Sequence, residues 1–157
     1  MDNYRENGKI NMINVTNKES SLRLARAHAR ILLEAETLKR IIEGKIEKGD
    51  IFATAKIAGI IAAKKTSEII PLCHPLNLTY VDLVFFPKAN PPSIEIESEV
   101  SLIGRTGAEM ESLMAVSIAA LTVYDMCKSI DKTIEIDQIF LIEKSGGKTG
   151  HFIRKKA

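Results

Sequence analysis

Cysteine is scarce: Cys73 and Cys127 are the two in 157 residues, and no Cys-x-x-Cys pair occurs. A disulfide framework is therefore not expected, and two free thiols suit a reducing compartment. Charge of one sign is also lacking. Against 22 Lys plus Arg stand 20 Asp plus Glu, and a net charge of +2 is too small to imply nucleic acid or another polyanionic partner. Any cationic site must be local. The polar start, Met1 to Lys9, contains no apolar signal region, and no apolar run approaches the roughly 20 residues that span a bilayer. A cytoplasmic protein without membrane contact is expected. Internal repeats and linkers are missing too, so residues 1–157 read as a single domain, with 1–9 a flexible leader and 144–157 a mobile basic tail.

What is present is the makings of a folded core, with 45% hydrophobic and 27% charged residues. A length of 157 residues can bury such a core without disulfides or metals. Ile10 to Val15 reads as a short strand. Ser20 or Ser21 is a plausible N-cap for a long helix with Leu24, Ile31, Ala35, Leu38 and Ile42 on one stripe, ending at Gly44. A second helix starts after Asp50, and Ile57 to Ala63 is apolar on nearly every face. Pro71 and Pro75 bracket a segment that cannot be regular helix, because each ring fixes φ and removes a donor.

Beyond that loop, Leu78 to Phe86 reads as a strand with Val81, Leu83 and Phe85 on one face. A turn through Pro91 and Pro92 leads to a strand in which Ile94, Ile96, Val100 and Leu102 oppose Glu95, Glu97, Glu99 and Ser101. Residues 104–107 break it, residues 109–129 form an apolar helix, and Ile134 to Ile142 supplies a further strand. Helices placed before and between strands predict an α+β domain, an antiparallel sheet with helices packed on one face.

Several residues could carry chemistry, each with an ordinary alternative. Gly147-Lys148-Thr149 suggests a P-loop, but the glycine that motif needs five residues earlier is Ile142 and no helix can follow. A looser phosphate clamp remains open, with glycine amides and the charges of Lys144 and Lys148, as does a plain basic tail. Cys73, His74, Cys127 and His151 are possible zinc ligands by type, but their spacing argues against a metal site. His74, held between prolines, suits proton transfer or phosphate binding, or is a structural histidine. Cys73 is a possible nucleophile or a small buried hydrophobe. His28 reads as structural or solvated. Asp125 and Lys128, three apart, share a helix face and form an acid/base couple or a structural ion pair. Glu109 and Glu111 favour the dipole of the same helix's start but, two apart, do not point the same way in a regular helix. Fourteen residues separate Glu111 from Asp125, about 21 Å of helix. A pocket that uses both therefore needs two subunits.

Five segments in order carry a resemblance: Lys48-Gly-Asp-Ile-Phe-Ala-Thr-Ala-Lys-Ile-Ala-Gly59, Ile70-Pro-Leu-Cys-His-Pro-Leu76, Thr106-Gly-Ala-Glu-Met-Glu111, Tyr124-Asp-Met-Cys-Lys128 and Lys144-Ser-Gly-Gly-Lys-Thr-Gly150. Together they resemble the cyclic pyranopterin monophosphate synthase family of molybdenum-cofactor biosynthesis, over nearly all of residues 10–152. The resemblance implies a ferredoxin-like subunit in a homohexamer, a trimer of dimers with pockets between subunits. It implies a small-molecule nucleotide substrate, 3′,8-cyclo-7,8-dihydroguanosine triphosphate, which is rearranged with loss of pyrophosphate. Carried over by position, Asp125, Lys48 and Lys128 are catalytic. Leu72, Cys73, His74, Glu109, Met110, Glu111 and Lys144 bind substrate, with Arg23 near the triphosphate.

Such a scheme requires acids and bases and no cofactor, leaving Mg²⁺ with the triphosphate open. A lysine base must be partly neutral, so Lys48 or Lys128 is expected to have a depressed pKa. Arg105 stands where the family commonly has lysine. A non-catalytic nucleotide-binding or regulatory domain is the alternative.

Overall fold

Ala25, Ala27, Ala29 and Ile31 alternate with Arg26, His28 and Arg30. In the computed structural model, which describes residues 10–148 and 150–155, that period of two wins. Ser21–Leu32 is strand β1, and only Ala35–Ile42 forms helix α1, so the long helix expected from residue 20 to Gly44 is corrected at its front half. Alanine, arginine and leucine favour a helix by a few tenths of a kcal/mol each. Placing a completely buried alanine stripe under a helical layer outweighs that preference. Leu24 and Ile31, expected on one helical stripe, lie on opposite faces of the sheet. The strand expected at residues 10–15 is not formed either. That stretch pairs with no other strand among the described residues, and its Ile13 carbonyl faces His74 instead.

After α1 comes α2, Ile51–Lys64, whose N-terminus is capped by Asp50 accepting from the Ala53 amide at 3.0 Å. A single turn, α3 (Thr66–Ile69), leads to the proline-bracketed loop. Strands β2 (Tyr80–Ala89) and β3 (Pro92–Gly104) form the expected hairpin, and α4 (Glu109–Cys127), β4 (Glu135–Ser145) and β5 (Phe152–Ile153) follow. Among the described residues the strand order is β2-β3-β1-β4-β5, antiparallel throughout. With the helices on one face this is an α+β, ferredoxin-like fold.

The core lies between the sheet and α2 and α4. Ala27, Ala29, Ile31, Ile94 and Ile96 of the sheet meet Ala115, Val116, Ala119, Ala120 and Val123 of α4, all fully buried. The two helices cross closely because Gly59 has no side chain: a Cβ there would lie 2.6 Å from Leu83 Cδ2 and 2.9 Å from the Ala115 carbonyl. By length and composition α4 could cross a membrane, although no uninterrupted apolar run in it is long enough to span one. Its charged residues are confined to the ends, and half of it is buried inside this domain. On the apolar stretch of α2, Gly59, Ala62 and Ala63 are buried and Ile57 and Ile61 are exposed in the single chain.

Asp131 joins the α4–β4 loop to the start of α1. It is buried and accepts from the Glu34 amide at 2.9 Å, the Thr133 amide at 2.8 Å and the Thr133 hydroxyl at 2.7 Å. Burial opposes its charge, and these hydrogen bonds together outweigh burial and hold its pKa below the usual value.

At the C-terminus the boundary drawn at residue 144 moves. Lys144 and Ser145 belong to β4, and β5 pairs with it through Lys144 and Glu143. Arg154 continues this pairing, its amide donating to Ile142 O at 2.8 Å and its guanidinium lying 4.8 Å from the Phe140 ring centre. Main-chain pairing and one cation–π contact hold a segment too poor in apolar residues to bury itself. The other face of the sheet also seats His28, stacked on Phe140 at 4.8 Å. Residues 1–9, read as a leader, together with Thr149 and residues 156–157 of the tail, lie outside the described residues.

Candidate active site

At the N-terminal end of α4 lies a cavity of about 320 Å³. One wall is the proline-bracketed loop, with Leu72, Cys73, His74 and Leu76. The other is Thr106, Gly107 and the first turn of α4, Glu109, Met110 and Glu111. Three consecutive helical residues line it together, although Glu109 and Glu111 do not point the same way. The cavity sits over the helix end, where side chains leaving in different directions all border the same space.

The two carboxyls nevertheless differ. Glu109 accepts from Lys144 Nζ at 2.9 Å. Its carboxylate folds back over Gly107, where any Cβ would overlap it. Glu111 is 4% exposed. Burial, opposed by a backbone hydrogen bond and assisted by the neighbouring Glu109 charge, pushes its pKa up to about 7. Near neutral pH Glu111 therefore exchanges a proton readily, as a general acid or base must.

His74 Nε2 lies 2.9 Å from the Ile13 carbonyl. Since a carbonyl only accepts, Nε2 carries a proton in this contact. Burial first, and then the Glu111 charge, push the Cys73 thiol up. It is thus less suited to act as a nucleophile. Cys127 is buried at the other end of α4, its thiol pushed by burial up to about 11, so it does not join Cys73 and His74. His151 is hydrogen-bonded to Glu143 at 2.7 Å. Among the described residues no group of three His, Cys, Asp or Glu side chains converges as a metal set.

A second cluster occupies the C-terminal end of α4. Lys128 Nζ lies 2.6 Å from Asp125 Oδ1, and Lys48, from the loop before α2, donates to Asp125 Oδ2 at 3.1 Å and to its carbonyl at 2.9 Å. Lys48 and Asp125 are 77 residues apart. The hydrogen bonds from Lys128 and then Lys48 hold the Asp125 carboxyl below its ordinary range. The reciprocal bond raises the Lys128 pKa. This corrects the expectation of a depressed lysine pKa for Lys128. Lys128 is about half exposed, so burial does not favour its neutral amine and the adjacent carboxylate stabilises its cation.

The structure thus gathers the candidate residues in two groups. Leu72, Cys73, His74, Glu109, Met110 and Glu111 surround the cavity, with Lys144 on Glu109 and Arg23 just behind. Asp125, Lys48 and Lys128 stand at the far end of α4, about 21 Å along its axis. Leu76, Thr106 and Gly107 had not been singled out individually, though each lies inside a quoted motif. Asp131 was missed, because its partners are remote in sequence or are backbone groups.

A ferredoxin-like sheet with acid/base side chains at both ends of its central helix defines an α+β enzyme subunit. A profile of the MoaC family matches residues 12–147. The protein named cyclic pyranopterin monophosphate synthase in Heliobacterium modesticaldum is 49% identical over 156 residues, covering 99% of this chain and 98% of that protein. Its namesake in Desulfitobacterium hafniense is 52% identical over 155 residues, covering 99% and 94%. In Desulforapulum autotrophicum the figures are 51% over 148 residues, with 94% and 91% covered. This chain belongs to the MoaC family.

Proposed function

We propose that this chain is a lyase of molybdenum-cofactor biosynthesis. It converts (8S)-3′,8-cyclo-7,8-dihydroguanosine 5′-triphosphate to cyclic pyranopterin monophosphate and releases pyrophosphate. Purine-ring opening, C–N closure and phosphate cyclisation require protons to be moved at several atoms. The observation that carries this reading is the pair of acid/base clusters at the two ends of α4. In this scheme Asp125 is the ionised acceptor and Lys128 enters protonated, with Lys48 completing the cluster. Glu111, with its pKa of about 7, acts beside His74 and Cys73 in the cavity, which holds the nucleotide. The cation of Lys144, with that of Arg105 on the turn that Arg23 seats, favours the triphosphate and the departing pyrophosphate. The scheme requires no organic cofactor, and a role for Mg²⁺ with the triphosphate stays open.

Because one helix cannot bring its two ends to one small molecule, we read the working pocket as shared between subunits of a homo-oligomer. A hexamer built as a trimer of dimers, in the cytoplasm, is the form proposed. Support comes from Ile57, Ile61 and Leu121, large apolar side chains left exposed on the helical layer. The test is turnover: incubation with the cyclised dihydro-nucleotide should release pyrophosphate and yield a product that becomes a fluorescent pterin on oxidation. Binding without either product would make the chain a nucleotide-binding regulatory domain. An active monomer in sedimentation would end the shared-pocket reading.

A further inference from the structure

Arg23 has the same parity on β1 as Ala25, Ala27, Ala29 and Ile31, so it points into the helical layer. It is only 9% exposed and, among the described residues, forms no ion pair with a carboxylate. A buried guanidinium without a counter-charge is costly unless neighbouring dipoles point at it. Here two consecutive carbonyls do so: Nε donates to Gly104 O at 3.2 Å and Nη2 to Arg105 O at 3.3 Å.

A second turn presses on the same group. Gly146 and Gly147 have φ of 100° and 74°, in the left-handed region where a side chain is strained. A Cβ on Gly147 would overlap the Arg23 guanidinium, and one on Gly146 would overlap the Leu22 carbonyl. One side chain therefore seats the turn that leaves β3 for α4 and the turn that follows β4. Glu109 emerges just after the first turn and Lys144 just before the second, and the two meet at 2.9 Å.

We propose that Arg23 is a positioning residue that locks the 104–107 turn to the 146–147 turn and thereby sets the Glu109–Lys144 contact beside the cavity. The proposal rests on the reading of that cavity as the substrate site. Its chemistry depends on shape as well as charge. A planar guanidinium reaches two carbonyls at once and offers a flat surface to a glycine turn, whereas a lysine ammonium is a point charge on a flexible stem.

Arg23→Lys in the intact protein is the direct test, read by hydrogen exchange and by kinetics. Amides of residues 104–107 and 146–148 should exchange at least about tenfold faster together. Those of the β1–β3 ladder between Ala25 and Ile31 should not change. Turnover of the cyclised nucleotide should show a kcat lowered about tenfold or more with KM nearly unchanged, and adding Lys144→Met should lower kcat no further than the worse single change. Arg30→Lys, an arginine replaced on the other face of β1, should leave both readouts at wild-type values.

Exchange unchanged in either turn, or kcat losses that multiply, would overturn the proposal. So would a rise confined to KM, which marks a direct phosphate ligand. If Arg23→Lys does not fold, Gly147→Ala tests the same contact from its other side. It must loosen residues 104–107 as well as its own turn, and loosening of its own turn alone refutes the coupling. Should the wild-type protein turn over no cyclised nucleotide, the proposed function fails while the exchange result still decides the role of Arg23.

Discussion

The two ends of α4 carry the same kinds of side chain in opposite settings. At its N-terminus a carboxyl is buried in a shaped cavity and held near neutrality. At its C-terminus a carboxyl stands in the open between two lysines and is held ionised. Burial raises Glu111 into a proton-exchanging range, whereas hydrogen bonds from two lysines keep Asp125 charged. The difference also shows that one end is enclosed within the subunit and the other is not. An open charge cluster is screened by water and salt, so a catalytic role there would require a cover that excludes both.

Asp125→Asn breaks the comparison most sharply. Because the residue is exposed, its loss should lower pyrophosphate release about a thousandfold or more while leaving the unfolding midpoint unchanged. A matching fall in stability would make the cluster structural. Pairing Asp125→Asn with Glu111→Gln then tests whether the ends meet across subunits. Each variant should be nearly inactive alone, and mixed and reassembled subunits should recover about a quarter of wild-type activity, since random pairing leaves one intact pocket in half of the dimers. No recovery would place both ends in separate functions.

Linkage sharpens the same contrast. The folded-state pKa of Glu111, about 7, exceeds its usual value of 4.5. The associated stability is therefore fully present below pH 4.5 and is lost as pH rises through 7, by ~3 kcal/mol. Denaturant unfolding of Glu111→Gln should show that slope flattened and the variant more stable than wild type at pH 8. A parallel pair of curves would show Glu111 ionising freely. Away from both ends, Asp131→Ala should cost about 2 kcal/mol at pH 7 by stranding the Glu34 and Thr133 amides, measured in the same way. The smallest effect is expected of Cys73→Ala, with turnover kept within about tenfold; in the wild-type protein the Cys73 thiol should be labelled slowly by iodoacetamide at pH 7, since burial disfavours its thiolate.

Much of the fold is legible in residue order. The alternation of Ile94, Ile96, Val100 and Leu102 marks β3, Asp50 marks the start of α2, and the charge-poor stretch after Glu111 marks α4. β1 was misread because alanine serves both periodicities: Ala25, Ala27 and Ala29 alternate with Arg26, His28 and Arg30, yet the same residues favour a helix in isolation. In the site, the proline-bracketed loop and the Asp125–Lys128 couple are local and could be read. The bond from Lys48 to Asp125, the seat of Arg23 on the 104–107 turn and the cradle around Asp131 join residues far apart in the chain, and no spacing rule reports them.

By itself the sequence determined most of the elements, the family motifs and the separation of Glu111 from Asp125, because helix rise and side-chain periodicity are local properties of the chain. Only the tertiary structure decided which carboxyl holds its proton near neutral pH, that Lys48 joins Asp125, and that two remote turns share one guanidinium. Those outcomes depend on burial and on dipoles supplied by distant segments, and neither exists until the chain has folded.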